Sequence, residues 1–359
     1  MVDTVPHPIF KGRGATLNMG SRFDAEQRVA IDDGWGYEDP DLPPLRTTVA
    51  SDISRTVIAR NQSPDVNFDR SINPYRGCEH GCVYCFARPT HAYLGLSPGL
   101  DFETKLTAKF DAAALLAKEL RAPRYECAVM GLGTNTDPYQ PIERTHRITR
   151  AILETLRDFN HPVAIVTKGA LVTRDIDILA PMATLGLVTV HLSITTLDSA
   201  LARKLEPRAS SPARRLDAIR QLAAAKIPVG VLAAPLIPAI NDAELEAILE
   251  AARDAGAESA SYTLLRLPNE VKELMDGWLQ EHAPNKRDRV LNLVRQSHGG
   301  KLYDSSYKSR FRGTGPHADL LRQRFKLALK RLGLNRRPWD FNTSLFRPPP
   351  QAGDQLSLL

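Results

Sequence analysis

The sequence lacks any apolar run long enough to cross a lipid bilayer as a helix, which takes about 20 residues. Its longest apolar run, 229–240, is interrupted by Pro235 and Pro238. The opening residues, MVDTVPHPIFKGRG, also lack the hydrophobic segment of a secretory signal peptide. We therefore expect a cytoplasmic protein that makes no membrane contact.

Cysteine is scarce as well: the 359 residues include four, too few for a disulfide scaffold. All four lie between Cys78 and Cys127, and such clustering indicates metal or redox chemistry. Apolar residues make up 43% of the chain and charged residues 25%, which excludes wholesale disorder and a fibrous repeat. The length fits a single α/β barrel with extensions.

Charge is distributed unevenly along the chain. Residues 301–337 carry eleven Lys and Arg against Asp304 and Asp319, a net charge of +9, whereas the whole chain carries +6. The remainder is therefore mildly acidic, at −3. A basic C-terminal arm of this sign suits a polyanionic partner such as nucleic acid.

Gly, Pro and the periodicity of apolar residues divide the chain into four regions. They are an irregular N-terminal extension at 1–67, a core domain at 68–267, a helical basic region at 268–337, and a proline-rich linker and tail at 338–359. In the core, six strand-like runs alternate with amphipathic helical patterns. The runs lie at 68–75, 127–132, 163–168, 187–194, 229–236 and 259–265.

This alternation predicts an α/β fold in which helices cover a parallel sheet through right-handed crossovers. Periodicity alone does not separate a curved, partly closed barrel from an open, doubly wound sheet.

The strongest motif is a C-x3-C-x2-C triplet, Cys78-Glu-His-Gly-Cys82-Val-Tyr-Cys85, directly after the first predicted strand. Three thiolates so close in sequence converge on one centre, and Gly77 and Gly81 permit a tight loop. Three cysteines on a [4Fe–4S] cluster leave one iron open to a small molecule, whereas structural zinc needs a closed fourth position. The alternative is therefore zinc, with His80, His91 or Cys127 as the fourth ligand.

The triplet resembles that of the radical S-adenosylmethionine (SAM) superfamily, including Tyr84 directly before the last cysteine. The resemblance implies a partial (β/α)6 TIM-like barrel and a [4Fe–4S] cluster whose open iron binds the amino and carboxylate groups of SAM. An electron from the reduced cluster would cleave SAM to a 5′-deoxyadenosyl radical, which abstracts hydrogen from a substrate. We therefore also expect an electron donor such as flavodoxin or ferredoxin.

Polar residues follow several predicted strands, and the carboxyl ends of parallel strands share one edge of a sheet. Here the sequence resembles the spore photoproduct lyase branch of the superfamily, also called DNA repair photolyase-like. The resemblance implies that Lys168 contacts the methionine carboxylate of SAM, that Ser193 also contacts SAM, and that Glu206 takes its ribose hydroxyls. Tyr84 and Asn135 are the further predicted SAM ligands. Taken singly, a strand-end Lys is commonly solvated and a Ser commonly caps a helix.

One position departs from that branch. The lyases carry a cysteine, which returns a hydrogen atom to the repaired base, where this sequence has Thr134. A hydroxyl is a far poorer hydrogen-atom donor than a thiol, and Cys127 lies about 20 Å away along an extended strand. We therefore expect that this protein does not repair spore photoproduct and that Cys127 is a buried core thiol. No catalytic residue is assigned.

The basic region combines cations with aromatic rings. Lys308, Arg310 and Arg312 alternate with Tyr307 and Phe311, a pattern suited to phosphates and stacked bases. A basic helix follows, and its cations either contact nucleic acid or face water while its stripe docks on the core. The stripe comprises Leu321, Phe325, Ala328, Leu329 and Leu332, and Gly333 ends the helix.

The chain closes with Gln355-Leu356-Ser-Leu358-Leu359, which resembles the peptide by which bacterial repair proteins bind the sliding clamp. Leu359 replaces the usual phenylalanine, and the prolines at 348–350 would act as a spacer. With the basic arm, this tail favours damaged or modified nucleic acid as the substrate. The alternatives are a radical enzyme that acts on a protein or small molecule, and a zinc-stabilised nucleic-acid-binding module without catalysis.

Overall fold

The computed structural model describes residues 12–24, 45–334 and 340–350. The strands are β1 Thr48–Ser51, β2 Ile58–Arg60, β3 Arg70–Ile72, β4 Tyr75–Arg76, β5 Lys105–Ala108, β6 Met130–Leu132, β7 Val163–Thr167, β8 Val188–Ser193, β9 Val229–Leu236 and β10 Ser259–Leu264. The helices are α1 Asp101–Thr104, α2 Ala112–Leu120, α3 Glu143–His146, α4 Ile148–Asp158, α5 Ile176–Thr184, α6 Ser199–Leu205, α7 Pro212–Ala224, α8 Leu245–Asp254, α9 Val271–His282, α10 Arg287–Ser297 and α11 Pro316–Leu332. Short 3-10 turns lie at Arg88–Leu94, Ala170–Asp175, Asp242–Glu244 and Pro284–Lys286.

Six parallel strands form the main sheet in the order β3–β6–β7–β8–β9–β10, and β2 adds an antiparallel edge beside β3. Helices α5, α7 and α8 pack on β8 and β9, so the central strands are apolar and buried on both faces. Within the described residues the two edge strands do not pair with each other, so the sheet remains open. The predicted α/β class and partial six-stranded barrel are confirmed.

Several boundaries differ from the prediction. The first predicted run, 68–75, forms β3 and β4, separated at Pro74, which has no N–H for a strand ladder. Of the run 127–132, only Met130–Leu132 is a strand. Strand β5 was not predicted; it pairs with β1 and β4 in a second, three-stranded sheet. The N-terminal extension thus contributes two short strands, β1 to this sheet and β2 to the main one.

The basic helix α11 docks on the barrel, as its apolar stripe predicts. Leu321, Phe325, Ala328 and Leu332 are buried, and the Phe325 ring lies 4.7 Å from the Tyr262 ring. On the flank of the stripe, Arg324 forms a bidentate ion pair with Glu246 of α8. Gly333 ends the helix in a left-handed conformation (φ 68°). Part of the basic charge therefore serves to attach the helix to the core.

None of the helices among the described residues is both long enough and apolar enough to traverse a bilayer.

Replacing Phe325 by Ala should destabilise the protein by about 3–5 kcal/mol, because it leaves a cavity between α11 and β10. Leu327→Ala is the matched control: it lies on the same helix, but its side chain is 70% exposed. We expect its effect to stay within about 0.5 kcal/mol. Urea unfolding followed by circular dichroism measures both, and equal losses would contradict this docking of α11.

Candidate active site

The three cysteines of the triplet lie on one tight loop that follows β4. Gly77 and Gly81 adopt left-handed conformations (φ 75° and 70°), and a Cβ on Gly77 would lie 2.5 Å from a Leu106 methyl group. Cys78 and Cys82 are buried and Cys85 is half-buried. The loop therefore gathers the three thiols at the carboxyl end of the strands.

A buried ion pair supports this loop from beneath. Arg88, fully buried, donates to the carbonyl oxygens of Gly81 (3.1 Å) and Cys82 (2.8 Å) and pairs with Glu103. The Glu103 carboxylate in turn accepts the backbone N–H groups of Gly14 (3.0 Å) and residue 15 (2.9 Å). All of these polar groups are buried, so each needs the others.

The donor set fits an iron–sulfur cluster. Burial raises the pKa of each of the three thiols above its ordinary value, so their thiolate forms need a nearby cation such as iron. Among the described residues, no three His, Cys, Asp or Glu side chains are placed to hold a single metal ion. A cluster does not require that, because each thiolate binds its own iron.

Of the three residues named as a fourth zinc ligand, two contact other groups and the third lies at the far end of the strands. The His91 ring hydrogen-bonds the Lys105 carbonyl oxygen at 2.9 Å through Nε2. His80 Nδ1 lies 3.4 Å from Asp137 Oδ2. Cys127 precedes β6, at the amino ends of the strands, away from the cysteine loop at their carboxyl ends. It was predicted to be a buried core thiol but is half-buried, because the strand that would have enclosed it begins only at Met130. Partial burial raises the pKa of Cys127 to about 11.

Lys168, which follows β7, points at the end of β8. Its ammonium donates to Ser193 Oγ at 2.6 Å and to the Ala234 carbonyl oxygen at 3.4 Å. Its Nζ atom also lies 3.5 Å from Glu206 Oε1 and 5.7 Å from the centroid of the Tyr84 ring. Four of the five predicted SAM ligands therefore share one network.

Glu206 is the centre of this network. Its Oε1 accepts hydrogen bonds from the Tyr84 and Thr195 hydroxyls, and its Oε2 accepts one from Arg215. Burial alone would raise the pKa of Glu206, but the charges of Arg215 and Lys168 outweigh it and hold that pKa well below its usual range. Glu206 is thus a buried carboxylate between two cations.

Asp137 connects the network to the cysteine loop. It accepts from Thr167 Oγ1 at 2.6 Å and from the Lys168 backbone N–H at 2.7 Å, and it faces His80. Burial would raise the pKa of Asp137, but His80 and these hydrogen bonds lower it overall. Asn135, the fifth predicted SAM ligand, lies outside the network; its backbone N–H donates to Asn73 Oδ1 at 2.9 Å.

Arg215 is a site residue that the sequence reasoning missed. Helix α7 begins at Pro212 behind the cap of Ser211 and buries Ala218, Ile219 and Leu222. Arg215 lies on that same face, is 1% exposed, and donates to the Ser193 carbonyl oxygen at 2.9 Å. A charged residue in register with a buried apolar stripe was the available signal. The predicted clamp-binding residues Gln355, Leu356, Leu358 and Leu359 lie outside the described residues.

Comparison with known proteins adds to this geometry. Residues 72–252 match the family model described as the Radical SAM superfamily. An uncharacterized protein of Mycobacterium tuberculosis is 34% identical over 289 residues, which cover 79% of this chain and 81% of that protein. An uncharacterized protein of Methanocaldococcus jannaschii is 29% identical over 174 residues, 48% of this chain and 62% of that protein.

Among solved structures, spore photoproduct lyase complexed with dinucleoside spore photoproduct superposes with a TM-score of 0.56 at 17% identity, and the match covers 79% of each chain. At that identity the likeness establishes a shared fold.

Replacing Glu206 by Gln should destabilise the protein by about 3–5 kcal/mol, because Arg215 would stay buried without a counter-charge. Glu246→Gln is the matched control: it also removes a carboxylate from an arginine, but at the surface, where a pair contributes about 0–1 kcal/mol. Thermal unfolding of both variants measures the difference. A loss for Glu206→Gln as small as the loss for Glu246→Gln would show that the Glu206 charge is not needed.

Proposed function

The chain belongs to the radical SAM superfamily and is a radical SAM enzyme, and from that premise we propose that Cys78, Cys82 and Cys85 hold its [4Fe–4S] cluster. The observation that carries the proposal is the placement of three cysteines, two buried and one half-buried, on one loop beside the Lys168–Ser193 pair. When bound, the cluster would supply the electron that splits SAM into a 5′-deoxyadenosyl radical and methionine.

The chain's own residues would bind and orient SAM. Lys168, whose ammonium is fixed by Ser193, offers a cation to the methionine carboxylate. Glu206 would act mainly by positioning Lys168; to bind ribose hydroxyls it must exchange its Tyr84 or Thr195 partner for them. Asn135, half-buried beyond β6, remains proposed as a further contact to the same cofactor.

Serine in place of any cysteine of the triplet should remove the cluster, because the alcohol is a poor iron ligand at neutral pH. After anaerobic reconstitution we expect wild-type protein to be brown, with equal iron and acid-labile sulfide, and each variant to lose about 100-fold or more of its 5′-deoxyadenosine formation. Cys127→Ser is the matched control and should keep both properties. Colourless protein that holds zinc and no sulfide would instead favour the non-catalytic nucleic-acid-binding alternative.

We infer that the substrate is damaged or modified nucleic acid. Part of the basic region is committed internally: Arg310 pairs with Asp65 at 2.6 Å, and the Arg312 guanidinium lies 4.0 Å from the centroid of the Tyr262 ring. Other cations of the basic region remain exposed: Lys301, Lys308, Lys326, Lys330 and Arg331. This exposed charge supports contact with a polyanion.

We also propose two protein partners. An electron donor such as flavodoxin or ferredoxin would reduce the cluster, and the tail at 355–359 would bind the sliding clamp.

Adding fractionated cellular nucleic acid to the reduced protein should increase 5′-deoxyadenosine release, and the increase should weaken steeply between about 50 and 200 mM salt. A nucleic-acid-free protein and metabolite fraction is the control; stimulation by that fraction alone would favour a radical enzyme of another substrate class.

Dinucleoside spore photoproduct should not be reversed, since Thr134 replaces the thiol donor. Efficient reversal would contradict that expectation.

A further inference from the structure

An alternating stack of rings and guanidinium groups extends outward from the cysteine loop. Phe86 follows the last cysteine, and the Arg266 guanidinium lies 4.5 Å from its centroid and 4.5 Å from that of Phe311. Beyond Phe311 come Arg310, at 4.8 Å, and then Tyr307, 5.0 Å from Arg310. The two end rings are 45% and 56% exposed. The stack therefore joins the site to the surface.

The backbone fixes this stack to the barrel. Arg266 follows β10, whose last residue, Leu264, donates its N–H to the Phe311 carbonyl oxygen at 2.8 Å. Arg266 is also close enough to Cys85 for its charge to act on that thiol. It thus lies at the carboxyl edge of the strands, the same edge as Lys168.

The two guanidinium groups of the stack differ in their partners. Arg310 donates to Asp65 Oδ2 at 2.6 Å and to Ser63. Within the described part of the chain, Arg266 makes no hydrogen bond and no ion pair; its guanidinium instead lies against the rings of Phe86 and Phe311. Burial lowers the pKa of Arg266 although Asp65 lies near, so that carboxylate, which is paired with Arg310, offsets only part of the cost of desolvating Arg266.

The central carbon of the Arg266 guanidinium lies 4.5 Å from the centroid of each of the two rings, and its five N–H donors are arranged around the edge of one rigid plane. That edge is suited to bidentate contact with a phosphate, and little side-chain freedom remains to be lost on binding. Lys168 already offers a cation for the SAM carboxylate, so the free edge of Arg266 is available to a different anion. The aromatic rings beside it can stack bases.

We propose that Arg266 binds a phosphodiester of the substrate strand and so positions the nucleotide beside the cluster. This proposal rests on the proposed function, since it requires a nucleic acid substrate. A phosphate contact orients the strand without reading its sequence.

Fluorescence anisotropy of 5′-fluorescein-labelled deoxythymidine and deoxyadenosine decamers, titrated with reconstituted protein over a range of salt, tests the proposal. Arg266→Gln should weaken binding of both decamers equally, by about tenfold, and reduce the slope of log affinity against log salt by about one. Arg266→Lys should restore the slope but only part of the affinity. Arg253→Gln, the same change at an exposed position of α8, is the control and should leave both quantities unchanged.

The outcomes separate this proposal from the function on which it rests. If wild-type protein binds neither decamer even at low salt, the nucleic acid substrate and this proposal both fail. If wild-type and Arg266→Gln proteins bind equally, this proposal alone fails. Iron and acid-labile sulfide, measured on wild-type and Arg266→Gln proteins, show whether the variant keeps its cluster, so that weakened decamer binding is not mistaken for loss of the cluster. Loss of 5′-deoxyadenosine formation with decamer binding intact would assign Arg266 to SAM and overturn the proposal.

Discussion

The buried pair of Arg88 and Glu103 sets the position of the cysteine loop. Either charge alone, taken out of water, would cost several kcal/mol, and the pair is compensated because Arg88 also donates to four carbonyl oxygens, two of them on the loop. The backbone of the loop therefore cannot relax independently of this pair. The placement of the sulfur atoms therefore depends on a residue outside the cysteine triplet, a role typical of groups that surround metal sites.

A second buried carboxylate balances the other side of the site. Glu206 lies between Lys168 and Arg215 and forms an ion pair with each. These three side chains together therefore carry a net positive charge. Arg266 adds a cation near the same loop. Thiolate-bound iron and anionic ligands both favour such surroundings. The electrostatic design of the site thus matches the chemistry expected of its family.

The spacing of the cysteines and the apolar runs of the central strands were readable from the sequence, because a parallel strand covered on both faces must be apolar. Strand β5 (Lys105–Ala108) was not readable, since four residues are too few to establish a period and its partners β1 and β4 come from other parts of the chain. Arg215 and Arg266 were missed for a different reason. A charged side chain reads as solvated until the fold brings a partner or a pair of rings to it, and those contacts join distant parts of the chain.

The contact of Gly14 with the cysteine loop bears on where the minimal catalytic unit begins. A Cβ on Gly14 would lie 1.8 Å from the Gly81 carbonyl oxygen, so the two backbones touch. A chain trimmed to start at the first barrel strand would lose this contact and two of the backbone N–H groups that donate hydrogen bonds to Glu103. The cysteine loop is therefore held in place by segments more than sixty residues apart, and the unit that positions it begins upstream of the barrel.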